Sequence, residues 1–191
     1  MRRRGLQIGV LLLTLGLLAW GVTLALQRLA EPTATTAPAA APPPATTAHI
    51  TATLFYASPD GQALLPVRRE IPLAEGVIAQ GRQILLSQLA PPPDGRQSVI
   101  PSGTELRSFY VTERGDAFVD LSNRISAGHP GGSLTELLTV YTIVNAVTAN
   151  LPAIQRVQLL VEGKEVDTIA GHVDVRRPLT RDSSLVRDTG P

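Results

Sequence analysis

Residues 104–122, TELRSFYVTERGDAFVDLS, decide the fold of this chain. Two runs of β-forming residues flank ERGD at 113–116, which is typical of a tight turn, and the stretch therefore predicts a β-hairpin. In the second run Val119 and Leu121 point to one face and Asp120 to the other. A hairpin with one apolar face needs other elements to cover that face, so the flanking sequence has to supply them.

The sequence before the hairpin predicts two strands and a helix. HITATLFYAS at 49–58 alternates apolar and polar positions, PDG at 59–61 is a turn, and ALLPVRREIPL at 63–73 is the return strand. EGVIAQGRQILLSQLA at 75–90 has helical periodicity and ends at a run of prolines. Its predicted core positions are Val77, Ile78, Gly81, Ile84, Leu85 and Leu89.

The sequence after the hairpin predicts a second helix and a final strand. Ser133 and Glu136 have the spacing of a capping box, and the helix that they start runs to about Asn150. RVQLLVEGKEV at 156–166 then predicts a strand and a turn. The predicted core positions of this helix are Leu137, Val140, Tyr141, Val144, Val147 and Leu151.

The resulting order, β-β-α-β-β-α-β with a short strand near 165–169, predicts the α+β class. We expect a single compact domain over residues 50–182, with a mostly antiparallel sheet and two helices on one face. Residues 183–191 are expected to be a disordered tail.

The N-terminal region predicts a membrane anchor and a spacer. Residues 5–27 form an apolar run of spanning length, preceded by a basic end at 1–4, which puts the N-terminus in the cytoplasm and the domain outside. A cleaved signal peptide is the alternative, but its apolar core is usually shorter, about 7–15 residues. Residues 28–49, rich in Pro, Ala and Thr, predict a disordered linker.

Composition excludes several classes of function. The net charge of +1 and an aromatic content of 4% disfavour nucleic acid as a partner. Cysteine is absent, which removes disulfides, thiolate metal sites and a cysteine nucleophile. No sequence pattern predicts a cofactor.

Four stretches follow one another along the chain: IPSGTEL at 100–106, VDLS at 119–122, VQLLVEGKEV at 157–166 and AGHVDVRRPLTRD at 170–182. Together, in this order, they resemble the GerMN domain, the sporulation and spore germination family. The resemblance covers about residues 50–182 and implies an extracytoplasmic, membrane-attached protein whose fold is similar to the ring-building modules of secretion assemblies. The chain departs from the family in lacking the lipidation cysteine and in carrying one copy where the spore protein has two.

The last stretch holds the first candidate site. His172 and Asp174 alternate with valines as on a strand, where they could pair or bind a metal, but a third ligand is missing. We therefore interpret both as structural polar residues of a closing strand that ends at Pro178. The arginines at or beyond the sheet edge are predicted to form an exposed basic edge that steers an acidic partner: Arg176, Arg177 and Arg181.

GHPGGS at 128–133 is the second candidate. Glycines before a helix could bind an anion, but a P-loop lysine is absent and the capping box uses some of the donors. Ser133 is predicted to act as the N-cap and not as a nucleophile, because the chain has no G-x-S-x-G elbow. Without a nucleophile and an oriented base, we expect no enzymatic activity.

The second helix supplies a third candidate. It has no charged residue after Glu136, and the side away from its predicted core positions carries Thr135, Thr139 and Thr142. This uncharged side is either ordinary surface or a packing surface for another protein or a second copy.

These features favour a non-enzymatic membrane protein that acts by protein–protein interaction in a cell-envelope assembly, of the sporulation or germination type that the resemblance implies. The expected partners are the membrane, through the N-terminal helix, and an envelope protein or a second copy. A module that binds cell-wall glycan or a small ligand is the alternative, and an envelope hydrolase is a third.

Overall fold

The computed structural model of the protein describes residues 20–21, 48–93 and 95–187. The chain divides into two compact units, residues 1–45 and 46–191. The predicted basic end, transmembrane segment and linker lie almost wholly outside the described residues and stay predictions. Among the described residues, no helix has the length and apolar character needed to cross a bilayer.

The first two strands form a sheet of their own. β1 (His49–Ala57) and β2 (Leu64–Pro72) pair antiparallel, with Leu54 opposite Val67. The second half of β1 is buried on both faces, since Leu54, Phe55, Tyr56 and Ala57 are all buried, so the predicted alternation does not hold there. The first helix, α1 (Val77–Leu89), follows at once.

The remaining strands form a mixed sheet of five. These are β3 (Leu106–Val111), β4 (Asp116–Leu121), β5 (Arg156–Val161), β6 (Lys164–Glu165) and β7 (Leu179–Thr180). The predicted hairpin is confirmed as β3–β4, but β4 and β5 run parallel. Four of the five strand pairings in the described part of the chain are antiparallel, as predicted, but the strands form two sheets where one was predicted. The long helical crossover between β4 and β5 returns the chain in the same direction, which a hairpin connection cannot do.

Two helices lie between β4 and β5. α2 (Arg124–Ala127) is a single turn that no sequence pattern predicted, while α3 (Ser133–Asn150) has the predicted bounds. α1 contacts β1 and β3, and α3 contacts β1, β5, β7 and α1. The helices therefore join the two sheets and do not cover one face of a single sheet, as the sequence predicted.

The outer edge of β1 is closed by two side-chain amides. Gln88 of α1 accepts a hydrogen bond from the N–H of Phe55 at 2.9 Å and donates to its carbonyl at 2.8 Å. Asn150 of α3 makes the same pair of bonds with Thr53, at 2.8 and 2.7 Å. Each amide has one donor and one acceptor in the geometry of a peptide group, so the helices replace a neighbouring strand and cover the edge.

The predicted core of α1 is correct at its centre and wrong at its start. Ile84 and Leu85 are fully buried, and Gly81 lies so close to Phe109 that a Cβ there would be 2.3 Å from the Phe109 ring. Val77 and Ile78, however, are exposed. They occupy the first turn, where the helix extends past the sheet that its middle covers.

Part of the predicted disordered tail has a defined place. The N–H of Leu64 donates to the carbonyl of Leu185 at 2.8 Å, and the N–H of Arg187 donates to the carbonyl of Leu64 at 2.8 Å. Residues 183–187 therefore follow the edge of β2, and only residues 188–191 lie outside the described part. Pairing with the backbone groups of Leu64, the first residue of β2, and packing of Leu185 and Val186 against the core hold this segment in place.

Candidate functional site

The carboxylate of Glu136 is the centre of the site. It is fully buried in the first turns of α3. Oε1 accepts hydrogen bonds from the N–H groups of Ile169 at 3.0 Å and Ala170 at 2.8 Å. Oε2 accepts from the N–H of His172 at 2.8 Å and lies 3.1 Å from its Nδ1. Glu136 thus anchors the loop between β6 and β7, which we call the anchored loop (residues 168–177).

The environment of Glu136 keeps it ionised. Burial by itself raises the pKa of Glu136, but hydrogen bonds from the N–H groups of Ala170 and His172 and from the His172 ring outweigh burial and lower it. Because an ionised carboxylate is an acceptor only, the His172 Nδ1 must carry the proton in this contact. Negative charge in the first turn is also stabilised by the helix dipole.

The predicted capping box is therefore wrong. The N-cap of α3 is Gly132, at a φ of 87° that favours glycine, and no side chain caps this end. Ser133 is exposed in the first turn and Glu136 points into the core. The two residues have the spacing of a capping box. In a capping box, however, Glu136 would accept one N–H, whereas the anchored loop supplies it with four hydrogen-bond donors.

His129 fixes the glycine-rich loop before α3. Its Nδ1 accepts a hydrogen bond from the N–H of Gly131 at 3.0 Å, so Nε2 carries the proton and donates to the Thr139 hydroxyl at 3.1 Å. Burial lowers the pKa of His129, against the effect of the nearby Glu136 charge. The Gly131 N–H, which an anion site would need, is already bonded within the loop.

The closing segment is not the strand that the sequence predicted. Residues 171–178 form no strand, and pairing with β5 begins only after Pro178, at Leu179 opposite Val157. β6 and β7 both pair with the same edge of β5, so the chain has to leave that edge between them. Within this loop Val175 is fully buried and Val173 only half-buried.

The three predicted arginines differ in their surroundings. Arg176 forms a two-pronged ion pair with Asp174, with Nε to Oδ1 at 3.0 Å and a terminal nitrogen to Oδ2 at 2.6 Å. This hydrogen-bonded arginine holds the pKa of Asp174 far below its usual range. Arg177 and Arg181 are exposed and have no ion-pair partner among residues 48–93 and 95–187. Two of the three arginines are therefore available to an acidic group.

The predicted threonine surface of α3 is buried. Thr139 and Thr142 are 0% and 1% exposed, and Thr135 is half-buried. The Thr139 hydroxyl lies 2.8 Å from the carbonyls of Val99 and Thr135, whereas the Thr142 hydroxyl has no hydrogen-bond partner in the described part of the chain. A helix that is uncharged all round is typical of a buried one, and that signal was present in the sequence.

A cavity of about 500 Å³ lies beside the start of α3. Its volume is in the range of small-molecule sites. Among the described residues that line it, none is acidic, basic or aromatic. These are Ala57, Gly61, Pro92, Gln97, Ser98, Val99, Ile100, Pro101, Ser102, Pro130, Thr135 and Leu138. These residues offer hydroxyl, amide and backbone polarity, without an ionisable group for proton transfer or an aromatic ring for stacking on a sugar.

The sequence patterns did not predict the exposed apolar residues in and just before α1. Leu73, in the loop before α1, and Val77, Ile78 and Leu86 on the helix are all more than a third exposed, and we call them the α1 apolar surface. Two of them had been assigned to the core, because helical periodicity does not tell which part of a helix is covered.

The comparison with protein families decides the identity of the domain. The model of the Germane family, described as sporulation and spore germination, matches residues 53–167. The chain belongs to this family. The matched range contains Glu136 of the Germane domain and ends just before the loop that Glu136 anchors.

Two solved structures share the Germane fold. A protein from Clostridium perfringens that is named as a lipoprotein has 22% identity and a TM-score of 0.51, over 71% of this chain and 89% of that one. The tandem GerMN domains of the sporulation protein GerM from Bacillus subtilis have 20% identity and a TM-score of 0.51, over 70% of this chain and 45% of that one. A search of the curated proteins finds no match.

Proposed function

We propose that this Germane protein is a non-enzymatic, membrane-anchored protein that binds another protein in an extracytoplasmic cell-envelope assembly. The observation that carries the proposal is the anchored loop. Its polar backbone groups are bound by Glu136, and Arg177 stands exposed on it, with Arg181 just beyond β7.

A fixed loop with free arginines suits recognition of carboxylates. A guanidinium binds a carboxylate with two parallel hydrogen bonds. This binding is favoured when the backbone that carries the arginine is already ordered, because ordering it on binding costs free energy. The four hydrogen bonds to Glu136 provide this order. The partner surface is therefore expected to be acidic.

The absence of enzymatic activity is part of the proposal. His172 is the residue of the closing segment best suited to proton transfer, since Glu136 holds its Nδ1 and its side chain is 45% exposed, but it is not among the described lining residues of the cavity beside α3. The described residues that line the cavity of about 500 Å³ include no ionisable side chain. General acid–base catalysis requires such a group within hydrogen-bond reach of the substrate.

The membrane anchor rests on residues 5–27 and the arginines at positions 2–4. The Clostridium perfringens neighbour is named as a lipoprotein, which supports a membrane-attached domain for a protein of this fold. In this chain a transmembrane segment would replace the lipid, since cysteine is absent.

A crosslinking pull-down from native membranes tests the proposal. We expect the variant with Arg177→Glu and Arg181→Glu to recover about tenfold less partner, with the difference largest at low salt. Arg114→Glu, an exposed arginine in the β3–β4 turn, is the matched control and should recover the wild-type amount. Equal recovery by both variants would contradict the role of the basic loop. A reaction that His172→Ala abolishes in a folded protein would contradict the non-enzymatic proposal.

A further inference from the structure

β3 is an open edge of the mixed sheet. It pairs with β4 on one side, and in the described part of the chain no strand pairs with its other side. The N–H of Thr112 donates to the carbonyl of Asp116 at 2.9 Å. Because antiparallel strands alternate, the backbone groups of Tyr110 also face β4, whereas those of Phe109 and Val111 face outward. The outward groups have the geometry to bind a further strand.

The other strands have edges that are closed by specific features. Side-chain amides close β1, as described above, and β6 and β7 pair with the far edge of β5. β2 pairs with the C-terminal segment at Leu64 and carries Pro66 and Pro72, which lack an N–H. A bulge at Arg107 disturbs the start of β3, but the next four residues pair regularly. Among the described strands, β3 is therefore the one whose edge is ready to accept a partner.

The first turn of α1 extends over the space beside this edge. Gly81 of α1 lies on the Phe109 ring of β3, and Val77 is one turn earlier on the same stripe of the helix. Four helical residues span about 6 Å, and neighbouring strands lie about 4.8 Å apart. Val77 and Ile78 are in line with the buried Gly81 and Leu85, yet they are 38% and 48% exposed. One added strand beside β3 would cover them.

We propose that an extended segment of another protein pairs with β3 as a sixth strand of the mixed sheet and packs its side chains beneath the first turn of α1. Two independent observations, the outward backbone groups and the uncovered residues Val77 and Ile78, point to the same element. Tyr110, which is 60% exposed on β3, gains a cross-strand neighbour in the same step. This surface lies apart from the anchored loop and goes beyond the proposed function.

The geometry defines the chemistry of the segment. Its backbone needs N–H groups at the pairing positions, so proline is excluded there. Its alternate side chains face α1 and have to be apolar, because they pack on Val77 and Ile78. The chain's own linker at 28–49 fits poorly, since it contains five prolines.

A second copy of the chain does not fit this space. Pairing of β3 with β3 of another copy about a two-fold axis puts both α1 helices on the same face of the joined sheet. In each copy Gly81 holds α1 directly on Phe109. The first turn of one α1 would then meet the α1 of the other copy, so the added strand has to be free of a helix on that face.

Photocrosslinking of the full-length protein in native membranes tests the position of the segment. Replacement of Ile78 by benzoylphenylalanine should give an adduct with another protein that maps to one short segment. Replacement of Leu86 is the matched control: it is 45% exposed on the same helix but points about 140° away from Gly81, and should give about tenfold less. Equal yields at the two positions, or an adduct with a second copy of the chain, would overturn the inference.

A synthetic peptide of the mapped segment then tests strand pairing. Hydrogen exchange at the amides of Phe109 and Val111 should slow at least about tenfold when the peptide binds, while the Tyr110 amide, already bonded to β4, changes little. The same peptide with proline at its pairing positions is the control and should not protect them. Unchanged exchange of Phe109 and Val111 with the native peptide would overturn the inference.

Substitutions in the protein separate the edge from the helix. Val111→Pro removes an outward N–H and leaves the bonds to β4 in place, so it should weaken binding of the peptide about tenfold. Ile78→Glu should do the same without touching the sheet, whereas Leu86→Glu should bind the peptide as the wild type does. Equal affinities of the Ile78→Glu and Leu86→Glu variants would contradict packing beneath the first turn.

The two proposals fail separately. Protection of Phe109 and Val111 reports on the β3 edge alone, and the pull-down with Arg177→Glu and Arg181→Glu reports on the anchored loop. Loss of partner in the arginine variant without protection of β3 contradicts only the added strand. Protection of β3 with full recovery of partner by the arginine variant contradicts only the role of the loop.

Discussion

The carboxylate of Glu136 lies 2.8 Å from the backbone nitrogen of His172, although 36 residues separate them in the chain. This contact joins the start of α3 to the loop after β6. It ties the element that fills the core to the segment that carries the exposed Arg177. We therefore expect the stability of the core and the shape of the anchored loop to depend on one buried charge.

Glu136→Gln should destabilise the protein by about 2–4 kcal/mol, because the amide nitrogen that replaces one oxygen would face N–H donors. The free energy of unfolding from urea denaturation measures this effect. Glu165→Gln, an exposed acid on β6, is the control and should change stability by less than about 0.5 kcal/mol. A small effect of Glu136→Gln would show that the loop does not depend on this charge.

Acid should weaken the protein in two steps. The pKa of His129 is lowered, so the folded state binds fewer protons than the unfolded state. Neutral His129 therefore stabilises the folded state fully at pH values above the ordinary histidine pKa of 6.5. This stabilisation is lost as the pH falls below 6.5. The pKa of Glu136 is also lowered, so its contribution is complete above its ordinary value of 4.5 and is lost at lower pH.

His129→Gln isolates the first step. Urea midpoints at pH 7 and pH 5 should differ less in this variant than in the wild type, while the loss below pH 4.5 persists. An unchanged slope between pH 7 and pH 5 would contradict the assignment to His129.

Local patterns predicted the main strands and both long helices. Val157, Leu159 and Val161 are buried as their alternation predicted, but Gln158 on the other side of β5 is buried as well. The apolar spacing at 133–150 predicted the correct bounds of α3. The helix begins directly after two glycines and ends at Asn150, before Leu151 and Pro152. These patterns involve residues only a few positions apart, so they can be recognised from the sequence alone.

The site depends on contacts between distant parts of the chain. Glu136 and Ser133 satisfy the local rule for a capping box, yet the donors that bind Glu136 lie 33 to 36 residues away. Val173 and Val175 alternate as on a strand, but the shared edge of β5 forces a loop there and buries Val175. The periodicity of one segment does not indicate which other segment of the chain will pack against it.

Thr142→Val should stabilise the protein by roughly 1 kcal/mol. The Thr142 hydroxyl is buried without a hydrogen-bond partner in the described part of the chain, and valine has nearly the same shape without the polar group. The matched control is Thr139→Val, one turn earlier on α3. It should destabilise the protein by about 1–2 kcal/mol because its hydroxyl is bonded to Val99 and to His129. Thermal melts of both variants would refute this account if they shifted in the same direction.

Gln88→Leu should destabilise the protein by about 2–5 kcal/mol, since it leaves both the N–H and the carbonyl of Phe55 without a partner in the core. Gln83→Leu is the matched control: it makes the same chemical change at a half-buried position of the same helix, and we expect a change below about 1 kcal/mol. Hydrogen exchange gives a second readout, because the Phe55 amide should exchange faster in Gln88→Leu even under conditions where the rest of β1 remains protected. Equal effects of the two substitutions, with an unchanged Phe55 exchange rate, would mean that the amide does not close the edge of β1.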